Sequence, residues 1–426
     1  MPISRRNEEA GFEYEVLEKF KDKDNKTIVI SFDGTGGEPG WAVQDQNDED
    51  AKDRYKGKGG LSNVCKMHLY AGGNVGNTYS HFDDQVALYY SGVGTRGTFQ
   101  FAKSALGLGA MEDIYTMAYE DLGKIYKEGD KLFVFGFSRG AATSRLFCSF
   151  LKNNPIGGVV VQVAFLGVYD TVAESFPIFG GVGTNDSPAT LDYGTKEEKR
   201  GVLADNVAKA VHLVSLDEDR SPFTPTLMNE DPRVTEVWVP GCHSDAGGGY
   251  YHDGLSDIAL TFMKKKAVEA GLQCREITKE TCEKEPDTLI HPEHTAKEQF
   301  THFDNDMKID PDPLDRDIHN EMSAMYHTLN FVTQTPHRYP SRWKDNLPLK
   351  GEPILLLDAV IERAKDWEGL VEEEVPKDFE IPEQTYKDNK YRPSYLVDVP
   401  YKLVSRKDMS VSETVVNSIT DVVDDW

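Results

Sequence analysis

Gly136-Phe137-Ser138-Arg139-Gly140 decides how this chain of 426 residues is read. It follows Lys131-Leu132-Phe133-Val134-Phe135, an apolar run that predicts a buried strand. It precedes Ala141-Ala142-Thr143-Ser144-Arg145-Leu146-Phe147, which predicts a helix. A serine between two glycines at a strand-to-helix turn is the arrangement of a nucleophile elbow. The turn forces the serine into a strained backbone conformation, and bulky flanking side chains would collide, hence the glycines. It lifts the hydroxyl out of the sheet, beside backbone N–H groups at the start of the next helix, where negative charge is favoured. The five-residue pattern is weak alone; the strand before it and the helix after it make it specific.

Working outward, Thr27-Ile28-Val29-Ile30-Ser31-Phe32 predicts a strand ending in the turn Asp33-Gly34-Thr35-Gly36-Gly37. Gln85-Val86-Ala87-Leu88-Tyr89-Tyr90 predicts another, and Met111, Ile114, Tyr115, Ala118, Leu122 and Ile125 mark a helix over 110–126. The most apolar strand spans 159–168 and ends at Tyr169-Asp170. Further strands are expected at 209–215 and 235–239, the second stopping at Pro240-Gly241-Cys242-His243, with a helix over 255–270. Continuous apolar strands alternating with helices imply an α/β fold, a mostly parallel central sheet with helices on both faces. The division expected is an N-terminal extension 1–26, a catalytic domain 27–270 and a peripheral C-terminal extension 271–426 packed on it. In that last region 274–313 lacks core periodicity, and 354–367 reads as one helical run.

Composition narrows the partners. With 72 Asp and Glu against 47 Lys and Arg, the net charge of −25 leaves no basic excess for nucleic acid and disfavours anionic membrane surfaces. No apolar run approaches the length of a transmembrane helix. The N-terminal Met1-Pro2-Ile3-Ser4-Arg5-Arg6-Asn7-Glu8-Glu9 lacks the apolar core of a secretory signal, so a cytoplasmic location is expected. The five cysteines form no C-x-x-C pair. Oligomeric state is not legible.

A serine nucleophile needs a base to take its proton and an acid to orient that base. Asp170 stands at the end of the strand after the elbow, and His243 follows a later strand, in the order Ser, acid, His. The duller reading of Asp170 is a helix cap, and Asp245 is a competing acid close to His243. The oxyanion donors expected are the N–H of Arg139 and, from the turn after the first strand, that of Gly34 or Thr35. Asp33, beside that turn, is expected to be neutralised in an ion pair with Arg139. His212 falls within a strand and reads as a buried, hydrogen-bonded histidine, while His291, His294 and His302 lie in a charged, irregular stretch matching no metal template. No metal or cofactor is expected. The loops 38–60 and 177–200 are expected to shape access to the pocket.

Taken in order, these pieces resemble the DUF2235 family of α/β-hydrolase-like domains, which includes phospholipase effectors of type VI secretion systems. The matching segments are Phe32-Asp33-Gly34-Thr35, Tyr90-Ser91-Gly92-Val93-Gly94-Thr95, Gly129-Asp130 and Phe135-Gly136-Phe137-Ser138-Arg139-Gly140-Ala141-Ala142. Next come Phe165-Leu166-Gly167-Val168-Tyr169-Asp170-Thr171-Val172, Asp217-Glu218-Asp219-Arg220 with Phe223, and the long stretch from Val237 through His243-Ser244-Asp245-Ala246-Gly247-Gly248-Gly249-Tyr250. The resemblance implies a serine esterase or lipase with Ser138, Asp170 and His243 at the family's triad positions, acting on a small-molecule or lipid ester. Two other readings remain open at this level. One is a non-catalytic binding protein on a hydrolase scaffold. The other is a metal-dependent phosphoesterase holding its ion with Asp33, Asp170 and Asp245.

Overall fold

A computed structural model describes residues 15–35, 58–93, 110–173, 191–192, 201–220, 223–250, 253–289, 307–314, 318, 338–368, 386–387 and 390–423. The chain order is α1 (Glu15–Phe20), β1 (Thr27–Phe32), β2 (Lys58–Ser62), α2 (Asn63–Tyr70), β3 (Gln85–Tyr90), α3 (Ala110–Ile125), β4 (Lys131–Phe137) and α4 (Arg139–Asn153). It continues through β5 (Val163–Tyr169), β6 (Ala210–Ser215), β7 (Val234–Val239), α5 (His243–Gly247), β8 (Gly248–Tyr250), α6 (Gly254–Glu269) and α7 (Lys279–Lys284). Then follow β9 (Arg342–Lys344), β10 (Leu347–Leu349), β11 (Ile354–Leu357), α8 (Asp358–Asp366), β12 (Tyr386–Lys387), β13 (Lys390–Tyr391) and β14 (Tyr401–Val404).

Eight strands make one sheet in the order β14-β11-β7-β6-β5-β4-β1-β3, and every pairing in it is parallel. The reason is in the side chains. Successive residues of a strand point to opposite faces, and here both faces are apolar. Along β4, Phe133, Phe135 and Phe137 enter one core with residues of α2, α6 and α8. Leu132 and Val134 enter the other, with residues of α1, α3 and α4. Helices therefore cover both faces of the sheet.

Strand order places the site. From β1 the chain crosses to the edge strand β3, then returns past β1 to β4 and runs the other way to β5, β6 and β7. Strand order thus reverses between β1 and β4. In open parallel sheets the crevice at the carboxyl ends of strands at such a reversal is where ligands bind. The turns after β1, Asp33-Gly34-Thr35, and after β4, Ser138, both open onto it.

Two expectations need correction. The run 354–367 is not one helix: Ile354–Leu357 pairs in parallel with Tyr401–Val404 as β11, and only Asp358–Asp366 is helical. Four apolar residues without polar interruption suit a buried strand as well as a helix, and pairing decided. The region after 270 is also more than a covering layer, since β11 and β14 extend the sheet beyond β7. The expected access loops lie mostly outside the described residues, as do His291, His294 and His302.

Candidate active site

Strain is concentrated at the turn after β4. Ser138 adopts φ 57° and ψ −124°, a conformation that side chains rarely occupy and that costs on the order of 1–3 kcal/mol. The surrounding backbone holds it there. Its N–H donates to Tyr169 O at 3.0 Å, and its carbonyl accepts from Ala142 and Val172 N–H groups, each at 3.2 Å. The flanking glycines permit close approach. A Cβ on Gly136 would lie 2.3 Å from Ser144 Oγ, and one on Gly140 would lie 2.3 Å from the carbonyl oxygens of Phe32 and Asp33. Any side chain at Gly140 would push α4 away from β1. The Ser138 hydroxyl makes no cap on α4.

Asp170 follows β5 directly, also at positive φ (37°). Its carboxylate is fully buried and accepts Ser215 N–H at 3.0 Å and Ser215 Oγ–H at 3.2 Å. His243 Nδ1 lies 2.5 Å from Oδ2. Arg338 forks across both oxygens, Nη1 to Oδ1 at 2.6 Å and Nη2 to Oδ2 at 2.9 Å. Burial would push this carboxyl up, but the charge of Arg338, with the hydrogen bond and charge of His243, holds it well below the usual carboxylate range. An ionised carboxylate can only accept, so His243 Nδ1 carries the proton and Nε2 is left as the acceptor.

His243 opens α5, and its imidazole is held between two aromatic rings. Phe137, next to Ser138, lies 4.6 Å away between centroids, and Phe223 lies 4.9 Å away at a steep angle. The His243 N–H donates to Glu218 Oε2 at 3.2 Å. Glu218 also pairs with Arg220 through two 2.8 Å contacts, and Arg220 lies 3.7 Å over the Phe223 ring. The Arg220 charge outweighs burial and brings the Glu218 carboxyl to about 2. The segment Glu218-Asp219-Arg220, visible in the sequence without a role, therefore braces the imidazole. Asp245 does not compete for that imidazole: its Oδ2 accepts Cys242 N–H at 2.9 Å across the start of α5.

The turn after β1 differs from expectation. Asp33 is not paired with Arg139. Its carboxylate accepts Gly34 N–H at 2.7 Å and Ser62 Oγ–H at 2.7 Å, and it accepts the Tyr89 hydroxyl. Arg139 turns instead to Thr35 Oγ1. Burial raises the Asp33 pKa, opposed by these three donors. Gly34 N–H is thus engaged by Asp33, and the glycine serves packing, since a Cβ there would lie 2.8 Å from the Phe137 ring. Arg139 is the first residue of α4, which sets its N–H at the N-terminal end of that helix.

The three aspartates proposed to share a metal are committed elsewhere: Asp33 to the β1 turn, Asp170 to His243 and Arg338, Asp245 to the α5 cap. Among the described residues no three His, Cys, Asp or Glu side chains gather to hold an ion. His212 is buried and bonded, as its strand position suggests, accepting Thr171 N–H at 3.1 Å and meeting Glu236 at 2.9 Å. No disulfide joins the five cysteines, and no described helix is long and apolar enough to cross a membrane.

Sequence reasoning missed Arg338. It comes from the region beyond the expected catalytic domain, 168 positions along the chain from Asp170. Neither periodicity nor a glycine turn marks it.

A strained serine after β4 and a buried aspartate–histidine pair, Asp170 following β5 and His243 opening α5, stand on a parallel eight-stranded sheet with helices on both faces, an α/β fold. The chain belongs to the family described as the catalytic domain of Tle1-like phospholipase effectors of the type VI secretion system, which residues 26–159 and 156–266 match. Solved structures resembling it include an uncharacterized protein from Pseudomonas aeruginosa, at 16% identity over 66% of this chain and 51% of that one, with TM-score 0.38. Another is the Tle1 effector bound to the VgrG spike from the type 6 secretion system, at 18% identity over 59% and 74%, with TM-score 0.39. The chain spans about half the length of the first of these. No curated protein matches it.

Proposed function

We propose that the protein is a serine hydrolase of lipid carboxylic esters, phospholipids being the class its family implies. Ser138 Oγ attacks the ester carbonyl as its proton passes to His243 Nε2, and Asp170 stabilises the imidazolium that forms. The carbonyl oxygen takes the negative charge and is met by N–H groups of Arg139 and Thr35, Gly34 being held by Asp33. Collapse expels the alcohol, which receives the proton from His243 and leaves an acyl-serine. Water, deprotonated by His243, then releases the acid and restores the hydroxyl. The sequence of steps needs no cofactor.

The observation that carries this reading is the strained conformation of Ser138 together with the 2.5 Å contact between His243 and Asp170. Contacts between nucleophile and base commonly close only in the substrate complex, so the pair of orienting contacts is the stronger sign. Incubation with a fluorophosphonate probe tests it. Wild type should be labelled and should release fatty acid from phospholipid vesicles. Ser138→Ala, folded by circular dichroism, should lose the label and about 10³-fold or more of the activity. Equal labelling of the two proteins would reject the nucleophile, and an unreactive wild type would favour a binding role for the scaffold.

A further inference from the structure

The base and acid of the proposed triad both come from the stretch matched by the family, but the charge that accompanies them does not. Arg338 lies outside that stretch and is buried, with its side chain 4% exposed. Its guanidinium makes two contacts to Asp170, two to Ser215 (carbonyl at 2.8 Å, Oγ at 2.5 Å) and one to the Phe223 carbonyl. Phe223 is the ring that flanks His243. One side chain therefore joins the acid, the strand end beside it and the wall of the imidazole pocket. The C-terminal region touches this neighbourhood a second time, where the Tyr391 hydroxyl donates to Asp217 at 3.0 Å and Asp217 accepts Gly241 N–H at 2.7 Å, two residues before His243.

We infer that Arg338 is a positioning residue of the hydrolase, fixing the orientation of Asp170 and placing a buried positive charge beside the Asp170–His243 pair. This rests on the serine-hydrolase reading above. A carboxylate held by a bidentate guanidinium cannot rotate, so the oxygen offered to His243 stays in line. It also shares its negative charge. A buried positive charge beside the pair makes its proton easier to lose, whichever member carries it. The other charges around the pair are balanced or engaged. Glu218, beneath His243, is paired with Arg220. Asp217 and Asp245 hold the backbone just before His243, at Gly241 and Cys242. His212, beneath Thr171, faces Glu236. Among the described residues, Arg338 is the Lys or Arg in direct contact with Asp170.

Two variants of the full chain separate the roles. Arg338→Met removes the charge, and the acid limb of its kcat/KM profile should move up by about one to two pH units, with a lower kcat at neutral pH. Arg338→Lys keeps the charge and loses the fork, so its limb should stay near wild type while kcat falls about tenfold. Fluorophosphonate labelling of wild type is read first, because loss of Ser138-dependent labelling sinks the enzyme and this inference with it. With wild type labelled, a folded Arg338→Met whose limb does not move makes Arg338 a structural brace and overturns the proposal. If Arg338→Met does not fold, Arg338→Lys decides: a wild-type kcat would overturn the clamp.

Discussion

Asp217 shows what burial does to one carboxyl in this site. It accepts Gly241 N–H and the Tyr391 hydroxyl, yet burial outweighs both and pushes it up to about 7. In the unfolded chain it would titrate near the ordinary value of about 4. Between those values the folded protein holds a proton that the unfolded chain has lost. Its contribution to stability is therefore complete below about pH 4 and is lost as pH rises through about 7. Asp170 and Glu218, held low by Arg338 and Arg220 against the effect of burial, contribute in the opposite sense, and theirs is lost only in acid. Thermal melts from pH 4.5 to 8 should show wild type losing stability across that window and Asp217→Asn losing less. Parallel curves would remove Asp217 as the source. Asp33 makes a second test at this scale. Its carboxylate accepts three donors, and an amide can satisfy only some of them. Asp33→Asn should cost about 1–3 kcal/mol in urea unfolding, whereas an unchanged midpoint would mean the turn is held without it.

At the scale of elements, glycine chemistry is constant while its surroundings are not. Gly123 lies inside α3, and a Cβ there would meet nothing within 4 Å. Gly123→Ala should stabilise the protein by about 0.5–1 kcal/mol, since glycine loses more freedom on entering a helix. Gly140→Ala places the same methyl 2.3 Å from two carbonyl oxygens at the end of β1. It should lower the melting temperature and slow fluorophosphonate labelling, because α4 and the elbow must move together. If the two variants melt alike, close approach is not what the glycine provides. This contrast also explains what was legible. The elbow, the sheet strands up to β7 and the pairing of Asp170 with His243 rest on local signals: apolar runs, glycine turns and polar residues at strand ends. The partner of Asp33 differs from expectation because the arginine beside Ser138 is visible in sequence as a countercharge, whereas Tyr89 and Ser62 reach Asp33 only after β3 and β2 are in place. Helix α2, whose residues are all buried, was missed because its Asn63, Lys66 and His68 read as polar. The fold engages them instead: Asn63 with Ala246 and Ser256 carbonyls, Lys66 with Asp253 and Asp257, His68 with the Asn74 carbonyl.

For the whole molecule, the issue is whether the region beyond α6 is an attachment or part of the structure. Its residues share one core with the catalytic strands: Leu356, Tyr391, Tyr401 and Ile419 pack in the cluster that holds Phe135, Val237, Trp238 and Met263. Its strands continue the sheet beyond β7, and its Arg338 reaches Asp170. A chain ending at residue 270 would leave β7 as an unprotected parallel edge, expose Trp238, which is buried in the full chain, and strip the cation from Asp170. Exposed edges and apolar faces of this kind drive aggregation. The expected outcome is a truncated protein that either fails to remain soluble or unfolds without a cooperative transition. Adding a separately produced 271–426 fragment should not restore labelling, because the strands must pair as the sheet forms. A soluble, cooperatively folding 1–270 fragment that reacts with the probe at the wild-type rate would show that the sheet is complete at β7 and that the C-terminal region is dispensable to the site.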